Sequence, residues 1–238
     1  MSKRRILGVT IVAVAAVALA GGLIASNMGF KLNYTLVAAT NPVAGPGESG
    51  TSLDGTSLVA LPFNRQGGLN SASALRTDIG AAAGPVARLL RSNNSQQSYT
   101  GVRGSVDFTF VDQYDCYQVK VNGTTNVQYV IVGSDKPGVP LTLYASGNAI
   151  PANLGGGSSL DGTNCYPYAY HSTAATASAL RADIGAAAGP VSRLTRHNNS
   201  LLSYTGVRGS VDFPLTPGEG YYVKVNGVAN VLYTPSHY

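Results

Sequence analysis

An 11-residue run, SYTGVRGSVDF, occurs twice in this chain of 238 residues, at 98–108 and again, letter for letter, at 203–213. A shared hydrophobic pattern cannot by itself produce 11 identical residues, so the chain contains two tandem copies of one unit. A period near 105 residues gives each copy enough length to bury a modest core. We expect a first repeat over residues 27–134 and a second over 135–238, after an N-terminal segment of residues 1–26.

The N-terminal segment has the pattern of an export signal. A basic tripeptide at residues 3–5 precedes a long apolar run, and Ala18 and Ala20 place small residues where a signal peptidase cleaves. The apolar run continues to Ala25 and reaches about 20 residues, which is also enough to span a bilayer. We therefore expect an exported protein of the cell envelope or extracellular space. Two alternatives are open: a cleaved signal peptide, or a retained anchor that is the chain's only membrane contact.

The charge of the chain does not favour a nucleic-acid partner. The formal net charge is +5, but without residues 3–5 the chain has 13 basic and 11 acidic side chains. No basic stripe remains to neutralise a phosphate backbone. We therefore expect no binding to nucleic acid.

Alternating apolar and polar residues, separated by turn residues, predict short β-strands in both copies. Residues 29–36 show this alternation, and the repeated run ends in the strand-like sequence SVDF at 105–108. Asn-Gly pairs at 122–123 and 226–227 each lie between two β-rich segments, which favours a tight hairpin. We expect about seven short strands per copy, forming a β-sandwich or an open barrel.

One short helix is predicted in each copy. Residues 72–79 follow Ser71, a favourable N-cap, and precede Gly80, which can end a helix in the left-handed conformation. The second copy repeats the pattern over 177–184, followed by Gly185. The predicted fold is therefore mainly β, with two tandem β domains that each hold one short helix, after an N-terminal apolar helix.

Three segments carry motifs that occur together in one known kind of module. Residues 27–33 have the sequence NMGFKLN, residues 55–62 have GTSLVALP, and residues 215–225 have LTPGEGYYVKV. These segments resemble a recurrent module of bacterial exported and surface proteins, whose second motif is G-T-N-W-x-x-L-P. The resemblance implies a β-rich extracellular module and brings no catalytic residues. This chain departs from the module by having Leu58 and Cys165 in place of the tryptophan.

The chain has two cysteines, and each occurs in one copy only. Cys116 aligns with Gly220 of the second copy, and Cys165 aligns with Leu58 of the first. In an exported protein a single pair is most simply one disulfide, which here would join the first unit to the second. An intermolecular disulfide and two free thiols are the alternatives that the sequence leaves open.

No residue pattern predicts a catalytic, cofactor-binding or metal site. The histidines His171, His197 and His237 show no metal-ligand spacing, and no serine lies in a G-x-S-x-G elbow. The Asp-Gly turns lack the ligand set of a calcium loop. Six aspartates recur at matched positions, in segments expected to form turns, helices or strand edges: Asp54, Asp78, Asp107, Asp161, Asp183 and Asp212. We expect no enzyme activity, no cofactor and no bound metal.

The tandem copies, the low charge and the strand edges favour a non-catalytic structural or adhesive protein at the cell surface. Such a chain can self-associate into a fibre or a surface layer. The alternative is a carbohydrate-binding module of the bacterial envelope, with a surface glycan as partner, because some of the 14 tyrosines can stack on sugar rings.

Overall fold

The computed structural model describes residues 29–43, 50–80, 86–92, 96–110, 115–136, 138–185, 191–197 and 201–236. The predicted export segment, with Ala18 and Ala20, lies outside these ranges. Among the described residues, no helix combines the length and the apolar character that crossing a membrane requires. We refer to residues 29–136 as the first half and to residues 138–236 as the second half.

The prediction of a mainly β protein is confirmed, because short strands and small antiparallel sheets dominate the described chain. The strands of the first half are β1 (Phe30–Leu36), β2 (Thr56–Leu61), β3 (Asn64–Arg65), β4 (Val86–Ser92), β5 (Gln96–Tyr99), β6 (Asp115–Val121) and β7 (Val127–Ser134). Those of the second half are β8 (Leu141–Leu143), β9 (Thr163–Pro167), β10 (Val191–His197), β11 (Leu201–Tyr204), β12 (Gly220–Val225) and β13 (Val231–Tyr233).

Each half contains a four-stranded sheet and a smaller one. The first half has the orders β2-β6-β4-β5 and β1-β7-β3, and the second has β9-β12-β10-β11 and β8-β13. The large sheets correspond strand for strand, so the duplication in the sequence reappears as duplicated topology. All of these sheets pair strands of one half, and an isolated bridge between Val59 and Glu219 joins the two halves.

The pattern of burial explains why the strands form where they do. In β1 the side chains of Phe30, Leu32, Tyr34 and Leu36 are buried and the three between them are exposed, as the alternation predicts for a strand with one wet face. Every residue of β2 is buried, because other parts of the protein cover both of its faces.

Both predicted helices form. Helix α1 (Ala72–Ile79) begins after Ser71, whose hydroxyl accepts a hydrogen bond from the Ala74 N–H, and ends at Gly80 with φ 101°. Helix α2 (Ala177–Asp183) ends one residue earlier than predicted, and Ile184 is its C-cap. A 3₁₀ helix over Ala152–Leu154 occurs only in the second half among the described residues.

The predicted Asn-Gly hairpins are wrong. Strands β6 and β7 flank the first Asn-Gly pair, yet they belong to different sheets, and the same is true of β12 and β13. Neither Gly123 nor Gly227 has the positive φ that a type I′ turn requires. Instead, Asn126 accepts a hydrogen bond from the Ala38 N–H, and its counterpart Asn230 accepts one from the Ala145 N–H. These hydrogen bonds hold the segments that connect β6 to β7 and β12 to β13, where the chain passes from one sheet to the other.

The SVDF segments are not strands, which corrects a second expectation. Residues 105–108 and 210–213 are irregular and lie against the helix of their own half. The Phe108 carbonyl accepts a hydrogen bond from the Ala72 N–H, and the Phe213 carbonyl accepts one from the Ala177 N–H. Helix contacts therefore take the backbone groups that a strand would have used.

Two hydrophobic cores form, one from residues 30–131 and one from residues 141–233. In each core the helix packs against the sheets, with Leu75 and Leu180 fully buried at matched positions. Phe63 belongs to the first half but packs against the second core. The two halves are therefore in direct contact. We call the surface between them, where β2 and β6 meet β9 and β12, the junction.

Candidate functional site

The six matched aspartates all have structural hydrogen-bond partners, repeated in both halves. Asp54 accepts from the N–H and hydroxyl of Thr56, and Asp161 accepts in the same way from Thr163. Such Asx turns fix the backbone of an Asp-Gly corner. In Asp161, burial raises the pKa, but the hydrogen bonds from Thr163 and the charge of Lys224 outweigh it, so the pKa lies below its usual value.

The other two aspartate pairs hold the helices. Asp78 accepts from the Tyr129 hydroxyl, and Asp183 accepts from the Tyr233 hydroxyl. Asp107 accepts from the N–H and hydroxyl of Ser73, at the start of α1. Its counterpart, Asp212, makes the same two bonds with Ser178. The six recurring aspartates therefore serve the fold, each at its own location.

Cys116 on β6 and Cys165 on β9 form a disulfide, with their Cα atoms 5.9 Å apart. No free cysteine remains. The Cys116 side chain is fully buried. The disulfide joins the large sheet of one half to the large sheet of the other, at the junction.

The strand registers place the two cysteines at non-equivalent positions of the repeat. On β2 and β6, Leu58 lies opposite Gln118. On β9 and β12, Cys165 lies opposite Tyr222. Leu58 and Cys165 are therefore equivalent, and so are Gln118 and Tyr222. By the same registers Cys116 is equivalent to Gly220.

Contacts across the junction are reciprocal, as they are in a two-fold dimer. Strand β6 contacts β9, and their counterparts β12 and β2 contact each other as well. Cys116 meets Cys165, while a Cβ built on Gly220 would lie 3.2 Å from the Cβ of Leu58. Gln118 donates a hydrogen bond to the hydroxyl of Tyr222, its own counterpart. The two halves therefore pack about a pseudo-two-fold axis that passes near Gln118 and Tyr222.

Glycine at 220 is required for this close packing. A Cβ built there lies 2.8 Å from the Cys116 Sγ, which is too short for a real contact, and 3.1 Å from the Cys116 Cβ, which is tighter than most. The missing side chain in one half therefore makes room for the cysteine of the other. A further backbone hydrogen bond, 2.9 Å from the Ala60 nitrogen to the Gly218 oxygen, ties β2 to the chain just before β12.

A buried ion pair lies beside the junction. Arg196 is only 1% exposed, and its Nη2 lies 2.7 Å from Glu219 Oε1. The second carboxylate oxygen of Glu219 accepts from the Tyr221 hydroxyl, which in turn accepts from the Thr216 N–H. Burial, followed by the charge of Glu219, raises the pKa of Tyr221 well above its ordinary value. Sequence analysis missed this pair, because an arginine between Thr195 and His197 gives no sign of burial.

Tyr34 fills the junction from the first half. Its hydroxyl donates to the Ala60 carbonyl oxygen at 2.6 Å, and its ring approaches Gly218 of the second half. Burial is the main cause that raises its pKa well above the usual value, with smaller contributions from Tyr129 and Asp135. Tyr34 is therefore a neutral hydrogen-bond donor at any physiological pH.

A small cleft opens where both halves meet at the surface. Phe30, Asp135 and residues 167–170 are among the groups that line it. The Tyr170 ring, 40% exposed, stacks on Phe30 with ring centroids 4.7 Å apart. Asp135 is buried and accepts from the Tyr170 N–H. His171 lies edge-on to both rings.

The remaining candidate residues do not converge. His197 lies at the end of β10, and His237 lies outside the described residues. In the part of the chain that the structure describes, no three side chains of His, Cys, Asp or Glu come together as metal ligands would.

The repeated run forms two matching exposed loops, which we call the GVRGSV loops (residues 101–106 and 206–211). Gly101 and Gly206 both have φ 76°, and Gly104 and Gly209 have φ 93° and 92°. In each loop the serine N–H and hydroxyl both donate to the carbonyl oxygen of the first valine. The loops follow β5 and β11, the edge strands at the opposite side of each large sheet from β2 and β9. Each loop therefore follows the edge of its large sheet that lies away from β2 or β9.

Side chains in the GVRGSV loops are exposed to the same degree in both halves. The first valine is 68% exposed at Val102 and 66% at Val207, and the second is 59% at Val106 and 58% at Val211. The arginine between them is also exposed. The two loops therefore match in sequence, backbone conformation and surface.

The chain matches no protein-family model, no curated protein and no solved structure.

Proposed function

We propose that this protein is a non-catalytic structural or adhesive protein of the cell envelope or extracellular space that associates with further copies of itself. The observation that carries the proposal is the pair of matching GVRGSV loops, one in each half of a cross-linked body. Two like binding elements on one rigid support can bridge two partners, and this is what a structural or adhesive subunit must do. The disulfide and the reciprocal junction fix the distance between the loops.

The proposal includes the organisation of the chain. The two halves are tandem β domains that divide near residue 134, and residues 1–26 act as an export signal or a membrane anchor. Separate hydrophobic cores and duplicated sheet orders support the division. The basic and apolar pattern of residues 1–26 supports export. The motif resemblance to bacterial surface modules agrees with both.

The oligomeric state of the native protein tests the proposal. We expect analytical ultracentrifugation to show concentration-dependent oligomers, and negative-stain microscopy of cell-surface material to show a fibre or a layer that contains this chain. A strictly monomeric protein at high concentration, with no such material at the surface, would contradict self-association.

A carbohydrate-binding module is the second candidate, and the cleft at the junction favours it. The Tyr170 residue is 40% exposed and stacks on Phe30 with one face, so the other face of its ring is the surface on which a sugar ring would stack. A glycan array that gives binding lost on Tyr170→Ala would support this function. An array on which the protein binds no glycan would refute the carbohydrate-binding function.

A further inference from the structure

We propose that the GVRGSV loops bind the Leu-Asp turns (residues 52–55 and 159–162) of neighbouring copies of this chain. The proposal rests on the self-association proposed above and names the surfaces that carry it. Both elements are present twice in every chain, so each copy offers two loops and two turns.

The pattern of exposed apolar side chains singles out these two elements. Among the described residues, six of the large exposed hydrophobic side chains form three pairs at matched positions of the halves, and all six lie in the loops or the turns: Leu53, Leu160, Val102, Val207, Val106 and Val211. Exposed positions elsewhere differ between the halves, as Thr124 differs from Val228 and Gln128 from Leu232. In the described parts of the chain, large apolar side chains are therefore exposed at matched positions only in the loops and the turns.

Folding does not explain these side chains. In the loops, glycines and a serine form the turn, and the valines point into solvent. In the turns, the buried Ser52 hydroxyl accepts from the Gly55 N–H and Asp54 forms the Asx turn, while Leu53 is 74% exposed. Single exposed apolar groups are normal on a monomer, so the inference depends on their recurrence at the same two elements in both halves.

The two elements are complementary in charge as well as in apolar character. Arg103 and Arg208 are exposed, and the described part of the chain gives neither of them a carboxylate partner. Asp54 and Asp161 leave about half of their side-chain surface exposed, 50% and 52%.

A lysine on the neighbouring strand lies near the carboxylate of each turn, on β6 in the first half and on β12 in the second. Lys120 lies 3.8 Å from Asp54, and Lys224 lies 3.6 Å from Asp161. In each pair the lysine is partly exposed and the nitrogen–oxygen distance is longer than a direct hydrogen bond, so the ion pair is weak and an arriving guanidinium can compete for the carboxylate. Arginine suits this role because its planar fork can engage a carboxylate with two donors.

Loop and turn are different surfaces, so one chain can bind one neighbour through a loop and another through a turn. Such heterologous contacts build a ring when the rotation between neighbours closes and an open filament when it does not. Many weak contacts of this kind add up to a stable assembly. The fibre or layer proposed above is the open form.

The test compares assembly of the full-length wild type with three paired variants. Val102→Ser/Val207→Ser and Arg103→Glu/Arg208→Glu change the loops, and Leu53→Ser/Leu160→Ser changes the turns. The matched control is Val228→Ser/Leu232→Ser, which removes equally exposed apolar groups outside both elements. Sedimentation velocity over a concentration series, at low and high salt, measures association, and thermal unfolding checks that every variant is folded.

We expect each loop or turn variant to raise the apparent dissociation constant about tenfold or more, with the control unchanged. Added salt should weaken assembly of the wild type and have less effect on the charge-reversed variant. Combining loop and turn variants should add little, because both remove one contact.

Three results would overturn the inference. Loss of assembly in the loop variants alone would point to another acidic partner for the loops. Assembly that is unaffected in all three variants would refute these surfaces while leaving self-association in place. A wild type that stays monomeric would remove both this inference and the proposed self-association.

Discussion

The pseudo-two-fold packing of the halves predicts that the disulfide can be moved to its symmetric position. The change replaces the native pair by Cys116→Gly and Cys165→Leu and introduces Leu58→Cys and Gly220→Cys, so each half receives the residue of the other. The Cβ built on Gly220 lies 3.2 Å from the Leu58 Cβ, close to the separation of about 3.5–4.5 Å across disulfides. The glycine at position 116 removes the sulfur that a side chain at position 220 would otherwise strike.

The size of the expected effect follows from the loops that the two disulfides close. The native bond spans 49 residues, which corresponds to about 4 kcal/mol of stabilisation from restriction of the unfolded chain. The moved bond spans roughly 162 residues and corresponds to about 5 kcal/mol. We therefore expect the variant with only Cys116→Gly/Cys165→Leu to lose about 4 kcal/mol of unfolding free energy. The four-site variant should recover most of that loss.

Non-reducing mass spectrometry and urea unfolding measure both parts of this prediction. Oxidation should lower the mass of the four-site variant by two hydrogen atoms, and reduction should lower its stability to that of the uncross-linked variant. Both variants must show the circular dichroism of the wild type. A folded four-site variant that keeps two reactive thiols under oxidising conditions would refute the pseudo-two-fold reasoning.

Three other predictions concern buried groups and one glycine. Burial raises the pKa values of Tyr34, Tyr166 and Tyr221, so above about pH 10 the unfolded state loses these protons while the folded state keeps them. Stability should therefore fall as the pH rises beyond that point, and tyrosinate absorbance should appear together with unfolding; gradual ionisation in the folded protein would argue against the burial. Glu219→Ala leaves the buried Arg196 without its carboxylate and should cost about 3 kcal/mol in urea unfolding, most of which the double change Arg196→Met/Glu219→Leu should recover. An equal loss in the double variant would show that packing, and not the unpaired charge, sets the cost. Gly101→Ala should destabilise more than Gly104→Ala: both force alanine to a positive φ, at about 1 kcal/mol, but a Cβ at position 101 also meets the Arg76 guanidinium while position 104 is open. Thermal unfolding of the two variants compares them, and equal losses would mean that the arginine simply moves aside.

Local features of this fold were predictable from the sequence. The helix at 72–79 was predicted with its correct bounds, because Ser71 and Gly80 act on the backbone within one turn of themselves. The strand at 30–36 was predictable for a similar reason, since its alternation directly records one buried and one wet face. The Asx turns of Asp54 and Asp161 also depend only on their immediate neighbours.

Features that depend on the next layer of structure were not predictable. An Asn-Gly pair indicates a turn, but it does not determine which sheet the following strand joins. Here the following strand joins a different sheet, and Asn126 just before it is held by the Ala38 N–H. The SVDF segments have strand-forming residues, yet the helix takes their hydrogen bonds. At the candidate site, the cysteines were conspicuous because each breaks the repeat. Their contact with Gly220, and the bond between Gln118 and Tyr222, exist only after the two halves have packed.

Because one cysteine lies in each half, the disulfide can form only after synthesis has reached the second half. Cys116 leaves the ribosome well before Cys165, so its partner does not exist until synthesis has reached the middle of β9. A chain that stops between these two positions retains one unpaired thiol, whatever the state of its first half. In an oxidising compartment, a release step that retains free thiols would therefore hold back chains that end between residues 116 and 165. The bond would then report that synthesis has passed the first sheet and entered the second half.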